Sequence, residues 1–199
     1  MDLNTCIETS AGNIRTPRSK LAYVYLNEPT LPKGETDPAK ARYQVSVMFP
    51  KEADLSLMLT VVEECAAENL TEAQRKTTKV KKPFLKTEDS PSLKEHAEDF
   101  PVMIRASAKF KPQIVGADLS EINDPSQVYS GRWGMVSLRP YFWEHPTGGK
   151  GVSLGLTNVQ LLEHDTPMAG GRVDAADDFT PIAGAAITGG ATSTEGLFD

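Results

Sequence analysis

The chain has 199 residues, 39% of them hydrophobic and 24% charged, with a formal net charge of −6 at pH 7. That length suits one domain with an appendage, and the modest apolar share leaves part of the chain outside any core. No apolar run approaches the roughly 18 residues of a membrane helix. Met1 to Thr9 holds no basic residue ahead of an apolar stretch, unlike a signal peptide, so the cytoplasm is the expected location.

The body reads mainly as strands. Lys20 to Leu26 alternates, with Leu21, Tyr23 and Tyr25 on one face, and Thr30 to Pro38 holds the Pro, Gly and Asp of a loop. Ala41 to Phe49 has Tyr43, Val45, Val47 and Phe49 on one side and Arg42, Gln44, Ser46 and Met48 on the other, the period of a half-buried strand. Asp54 to Glu68 is a helix: Asp54 is placed to cap it, and Leu55, Met58, Leu59, Val62 and Ala66 form an apolar stripe. Thr71 to Phe100 is polar and irregular. Pro101 to Lys111 is a strand, Tyr129 to Glu144 a long strand, His145 to Gly149 a turn, and Gly151 to Leu162 the returning hairpin partner. At least five strands, one helix and no alternation of strand with helix point to a small barrel or sandwich.

The segment from Met168 to Asp199 is rich in Gly, Ala, Thr and Asp and is expected to be a disordered tail beyond a body of residues 1–167. From Glu163 to Asp199 there are seven acids and one base, so this end carries the whole net charge and the rest balances at 20 acids and 20 bases. Such asymmetry suggests an interaction tail, or else a solubilising one. Two apolar-acidic islands punctuate it, Asp177-Asp178-Phe179 and Leu197-Phe198-Asp199.

Catalytic signatures are missing from the sequence. There is no phosphate loop before a helix, no serine elbow and no His-Glu helix motif, and Gly148-Gly149-Lys150-Gly151 falls in the hairpin turn. Cys6, Cys65 and the three histidines show no ligand spacing, so the expectation is reduced thiols, no metal, no cofactor and no enzymatic activity.

The strand faces say more. Val102, Ile104, Ala106, Ala108 and Phe110 share one face, opposite Met103, Arg105, Ser107, Lys109 and Lys111. In the long strand Val136, Leu138 and Phe142 oppose Trp133, Met135, Ser137, Arg139, Tyr141 and Trp143. Aromatic rings stack on unpaired bases without regard to sequence, and interleaved Arg and Lys neutralise phosphates. The same rings also suit a second packing layer or a subunit contact, and a homo-oligomer stays open. The basic run Arg75 to Lys86, with Lys79, Lys81 and Lys82 and no acid, is either a solvated loop or a mobile flap with Phe84 as an added ring.

Tyr129-Ser130-Gly131-Arg132-Trp133-Gly134, then Gly149-Lys150-Gly151, Gly155-Leu156-Thr157-Asn158-Val159-Gln160, Gly170-Gly171-Arg172 and Asp177-Asp178-Phe179 follow in an order that resembles single-stranded DNA-binding proteins of tailed phages and prophages. Thr16-Pro17, Phe49-Pro50-Lys51 and Ser107-Ala108-Lys109-Phe110-Lys111-Pro112 are similar too, so the likeness spans most of residues 15–180. It implies an OB-fold-like five-stranded barrel with an inserted helix and loops. It also implies coating of unpaired DNA in phage replication and recombination, and an acidic tail that docks phage or host replication and recombination proteins. The alternative is an assembly protein whose aromatic strand face is a subunit interface.

Overall fold

The computed structural model describes residues 2–168; the expected tail, with Asp177, Asp178, Phe179, Leu197 and Phe198, lies outside the described residues. In chain order the strands are β1 (Ile7–Glu8), β2 (Ile14–Arg15), β3 (Ser19–Thr30), β4 (Arg42–Phe49), β5 (Phe84–Lys86), β6 (Val102–Ala108), β7 (Gln113–Val115), β8 (Trp133–His145) and β9 (Gly149–Leu161). Two α-helices, α1 (Ser56–Glu68) and α2 (Glu72–Thr77), separate β4 from β5.

Five strands close a ring. β8 pairs with β3, β3 with β4, β4 with β6, β6 with β9 and β9 back with β8, and every contact is antiparallel except β6–β9. The inward residues of the alternating strands fill it: Leu21, Leu26, Val45, Val47, Phe49, Ile104, Val136, Leu138, Leu154 and Leu161 are essentially inaccessible. Helix α1 packs against β8 and β9 through Met58 and Val62. Its N-terminus differs from the expected cap: Leu55 takes the cap position without a side-chain bond, and Asp54 instead accepts from the Ser56 amide (2.9 Å) and hydroxyl.

Three departures from the sequence expectation matter for function. First, β3 contains a bulge. Ala22 pairs with Ser46 but Tyr25 pairs with Gln44, so one extra residue sits between them, and Tyr23 takes φ 47°. A bulge flips the following side chains, so Leu21 faces the core while Tyr25 faces out, rather than sharing a face. Second, β6 ends at Ala108, and Phe110 is 79% exposed instead of facing inward. Third, Thr71 to Phe100 is more regular than its polarity suggests. It holds α2, whose Thr71–Gln74 capping box closes both ends of its first turn, then β5, and its last part buries Leu93 and packs Phe100 over Ala22, Met48 and Met103.

The Tyr129-to-Gly134 motif proves to be a joint. Gly131 has φ +105°, and a Cβ there would lie 2.4 Å from the Thr166 carbonyl, so only glycine fits. Arg132 is buried and donates to the carbonyls of Gln127 and Leu162 (2.7 and 3.1 Å). Gly134 sits against Leu21, where a Cβ would approach its Cδ1 to 2.8 Å. The motif thereby locks the bulged β3 to the start of β8.

Candidate nucleic-acid interface

The pairing registers assemble a surface that no single strand shows. Across the outside of the ring Tyr25 pairs with Gln44, Gln44 with Ser107, Ser107 with Gly155 and Gly155 with Arg139. The middle of this row has a short or absent side chain at Ser107 and Gly155, and its ends carry a ring and a guanidinium. A second row runs from Ala22 through Ser46 to Arg105. The result is a shallow groove: Tyr23, Tyr25, Gln44, Ser46 and Arg105 line a hollow of about 230 Å³. Tyr25 continues into a neighbouring hollow with Asn27, Lys111 and Asn123. Tyr23 stands at the bulge, its hydroxyl pKa lowered chiefly by hydrogen bonds with Ser92 and Ser90.

At Gly155 the row meets the β8–β9 hairpin. Tyr141 is 48% exposed, and its ring edge lies 3.8 Å from where a Gly155 Cβ would be. Trp143 pairs with Gly151 and lies so close that a Cβ there would come within 2.4 Å of Cζ2. These two glycines therefore leave the space in which the rings lie along the hairpin, outward of the strand backbone. Arg139 is exposed on β8, paired with Gly155. Lys81 reaches the same hairpin: its amide donates to the Lys150 carbonyl and its ammonium to that of Gly148 (2.9 Å).

The structure thus places Arg105 in the hollow with Tyr23 and Tyr25, and Arg139, Tyr141 and Trp143 on the outer side of β8, two strands further round the ring. It also leaves Lys109, Phe110 and Lys111 exposed at the end of β6, with the Lys109 ammonium 5.9 Å from the centre of the Phe110 ring. Tyr25 and Phe110 escaped the sequence reading because the bulge and the strand end both break the period of two. The signal for Phe110 was the pair of flanking lysines followed by Pro112.

Other expected members lie elsewhere. Trp133 is at the opposite end of β8, pairs with Lys20 and is occupied by its own chain. The Arg18 guanidinium covers its ring at 3.5 Å, Phe100 tilts against it, and its indole N–H donates to Asp165 (2.8 Å). Phe84 pairs with Ile104, packs in part on the core, and lines a hollow that Arg105 also borders. The basic run is tied down, not a loose flap. Arg75 donates to the carbonyls of Leu70 and Ala67 at the end of α1, Lys82 pairs with Glu63 (2.6 Å) and Lys86 with Glu88 (2.9 Å). Lys79 is exposed.

Two of the seven acids in the charged C-terminal end are tied into the body. Glu163 pairs with Arg18 (3.1 Å), and Asp165 accepts from Lys20 and Trp133, strapping the chain across the start of β8. The Lys20 ammonium, then the Thr166 amide and the indole, hold the Asp165 carboxyl down at about 2. A depressed folded-state pKa gives stability that is complete above the unfolded value and disappears as pH falls through the folded one. Asp165→Asn is therefore expected to lower Tm at neutral pH. The gap from the parent should close as pH drops from about 4 toward about 2, as thermal melts across that range will register.

Among the described residues no helix is long and apolar enough to cross a membrane. The fold matches solved structures of phage proteins. The single-stranded DNA-binding protein from bacteriophage Enc34 in complex with ssDNA aligns at 19% identity and a TM-score of 0.64, over 85% of this chain and 96% of that one. The same Enc34 protein in a separate structure aligns at 20% identity and 0.63, over 89% and 96%. Gp2.5, the single-stranded DNA-binding protein encoded by bacteriophage T7, aligns at 15% identity and 0.59, over 84% and 99%. No curated protein sequence matches the chain. The family model described as the ssDNA-binding protein of Enterobacter phage Enc34 matches residues 12–189. The chain belongs to this phage single-stranded DNA-binding protein family.

Proposed function

We propose that the chain binds unpaired DNA in the groove between Tyr25 and Arg139 and along the Tyr141–Trp143 ridge, coating it during phage replication and recombination in the host cytoplasm. The binding is sequence-tolerant and needs no cofactor. The observation that carries this reading is the register row from Tyr25 to Arg139, with a floor low enough at Ser107 and Gly155 for bases to lie on and with rings and cations at its borders. Stacking is indifferent to base identity, and phosphate neutralisation to sequence. The likeness to the Enc34 and T7 proteins supports the same reading.

We read the ring as an OB fold. Taken in chain order its five strands follow one another around the ring as first, second, third, fifth and fourth. OB folds bind oligonucleotides on the face of their second and third strands and on the loops after the first and fourth. In this chain those are β4 and β6, the loop 31–41 and the β8–β9 turn; Arg105 is on β6, and Tyr141 and Trp143 stand on β8 just before that turn. Lys109, Phe110 and Lys111 extend the path at the end of β6, Lys81 supports the hairpin, and Lys79 adds positive charge nearby. Trp133 and Lys82 have packing and pairing roles instead, and Phe84 adds a ring at the hollow beside Arg105. The tail islands at Phe179 and Phe198 serve as docking points for phage or host replication proteins.

Titration with thymidine oligomers at several salt concentrations tests this. One copy should occlude roughly 4–16 nucleotides. Arg139→Ala should flatten the log–log salt slope by about 0.7, the contribution of one phosphate on a single strand. The absence of binding at low salt, or an Arg139→Ala slope equal to the parent's, overturns the reading.

A further inference from the structure

Two surface features outside the groove fit each other. The turn after β7 displays Leu119, 71% exposed at φ 67°, a left-handed backbone that leucine rarely adopts. The turn is braced: Gly116 N–H donates to the Ser120 carbonyl (2.8 Å), Leu119 N–H to that of Gly116 (3.1 Å), and the Gln160 amide to the carbonyls of Gly116 and Ala117 (3.2 and 3.3 Å). Asp118 accepts from the Ser120 amide and hydroxyl (3.0 and 2.6 Å). The fold thus holds an apolar knob outward, between the exposed acids Asp118 and Glu121.

At the other end of β9 lies a hollow of about 170 Å³ between α1, α2 and the segment around Lys81. Val62, Ala66, Ala67, Leu70 and Val80 make it mainly apolar, and Arg75 and Lys82 stand on its rim beside Glu63. The rim is therefore net positive where the knob is flanked by two negative charges. Lys81 is bridged to Gly151, and the knob is braced by Gln160. Nine residues of strand separate those points, about 30 Å at 3.3 Å per residue.

We propose that the Leu119 knob of one copy enters the α1–α2 hollow of the next, so that copies associate head to tail. Knob and hollow lie at opposite ends of β9, so the contact is heterologous: each copy keeps one free knob and one free hollow, and association continues rather than closing as a pair. A single leucine makes the contact weak between free copies. Copies bound side by side on one DNA strand are held at high local concentration, so there the contact appears as cooperativity; that consequence rests on the DNA-binding reading above, while the contact itself does not.

Sedimentation of the full chain, alone at rising concentration and on a long thymidine strand, tests the proposal. The parent should associate in both settings. Leu119→Asp should stay monomeric when free and lose roughly tenfold in cooperativity on the long strand, with affinity for an oligomer that holds one copy unchanged. Aspartate tolerates the left-handed backbone better than leucine, so this variant keeps the turn. Ala67→Trp should fill the hollow with the same effect, and Ala67→Lys replaces it should the tryptophan unfold α1 by circular dichroism. Mixing Leu119→Asp with either Ala67 variant leaves one good knob and one good hollow, so the mixture should stop at 1:1 dimers. Association of Leu119→Asp equal to the parent's, no association by the parent in either setting, or a mixture without dimers overturns the proposal. Failure of the short oligomer to bind parent protein would instead overturn the DNA-binding reading and leave the DNA-free association as the measure of this one.

Discussion

Tyr141→Ala and Trp143→Ala are each expected to weaken binding of a thymidine oligomer by 1–3 kcal/mol, roughly five- to 150-fold, with the salt slope nearly unchanged. The rings occupy outward positions along the hairpin, with Gly151 and Gly155 leaving them room, so removing one leaves the ring of strands intact while taking away a stacking surface. The loss should be unchanged by salt because stacking releases no counterions, in contrast to Arg139→Ala. The chain has two tryptophans, which gives the prediction a second readout. Trp133 is covered by Arg18 and bonded to Asp165, whereas Trp143 stands on the ridge. Quenching of indole fluorescence by DNA should therefore vanish in Trp143→Phe and persist in Trp133→Phe. The reverse pattern would place the DNA at the wrong end of β8.

Much of this surface was legible from alternation. The faces of β4, β6 and β8 follow from the period of two, and Arg105, Arg139, Tyr141 and Trp143 emerge on the outside as that period requires. What alternation omits is what covers an outer face. Met103 is as outward as Arg105, yet Leu93, Phe100 and Met168 bury it. Trp133 shares its strand face with Tyr141, yet Arg18 and Asp165 claim it. Those partners lie 115 and 32 positions away, and only the fold brings them together. Alternation also fails where a strand bulges or stops: the extra residue before Tyr25 and the bend after Ala108 reverse the expected sides of Tyr25 and Phe110. Both failures fall on rings of the candidate interface, consistent with bulges serving to re-aim side chains at functional sites.

Truncation after Met168 is expected to tighten DNA binding at low salt. Residues 169–199 contain five acids, Asp174, Asp177, Asp178, Glu195 and Asp199, against one base, Arg172. A covalently attached segment of net −4 competes with phosphates for a basic groove at a local concentration that no free anion reaches. Its attachment favours this, because Met168 packs with Tyr23, Leu93 and Met103, and Tyr23 also lines the groove. The gain in affinity should be roughly tenfold at about 0.01 M salt, where the screening length is about 30 Å, and should vanish near 1 M, where it is about 3 Å. The cut must fall after Met168 and not after Leu162. Removing Glu163 and Asp165 as well would break the ion pairs with Arg18 and Lys20 and uncover Trp133, so that a loss of stability would mask any gain in affinity. Charge can be separated from length by replacing Asp174, Asp177 and Asp178 with Asn in the full chain, which should recover part of the tightening. Equal affinities of parent and truncated chain at every salt concentration would leave the acidic segment with no role at the groove, and its role would then rest on the docking of Phe179 and Phe198 alone.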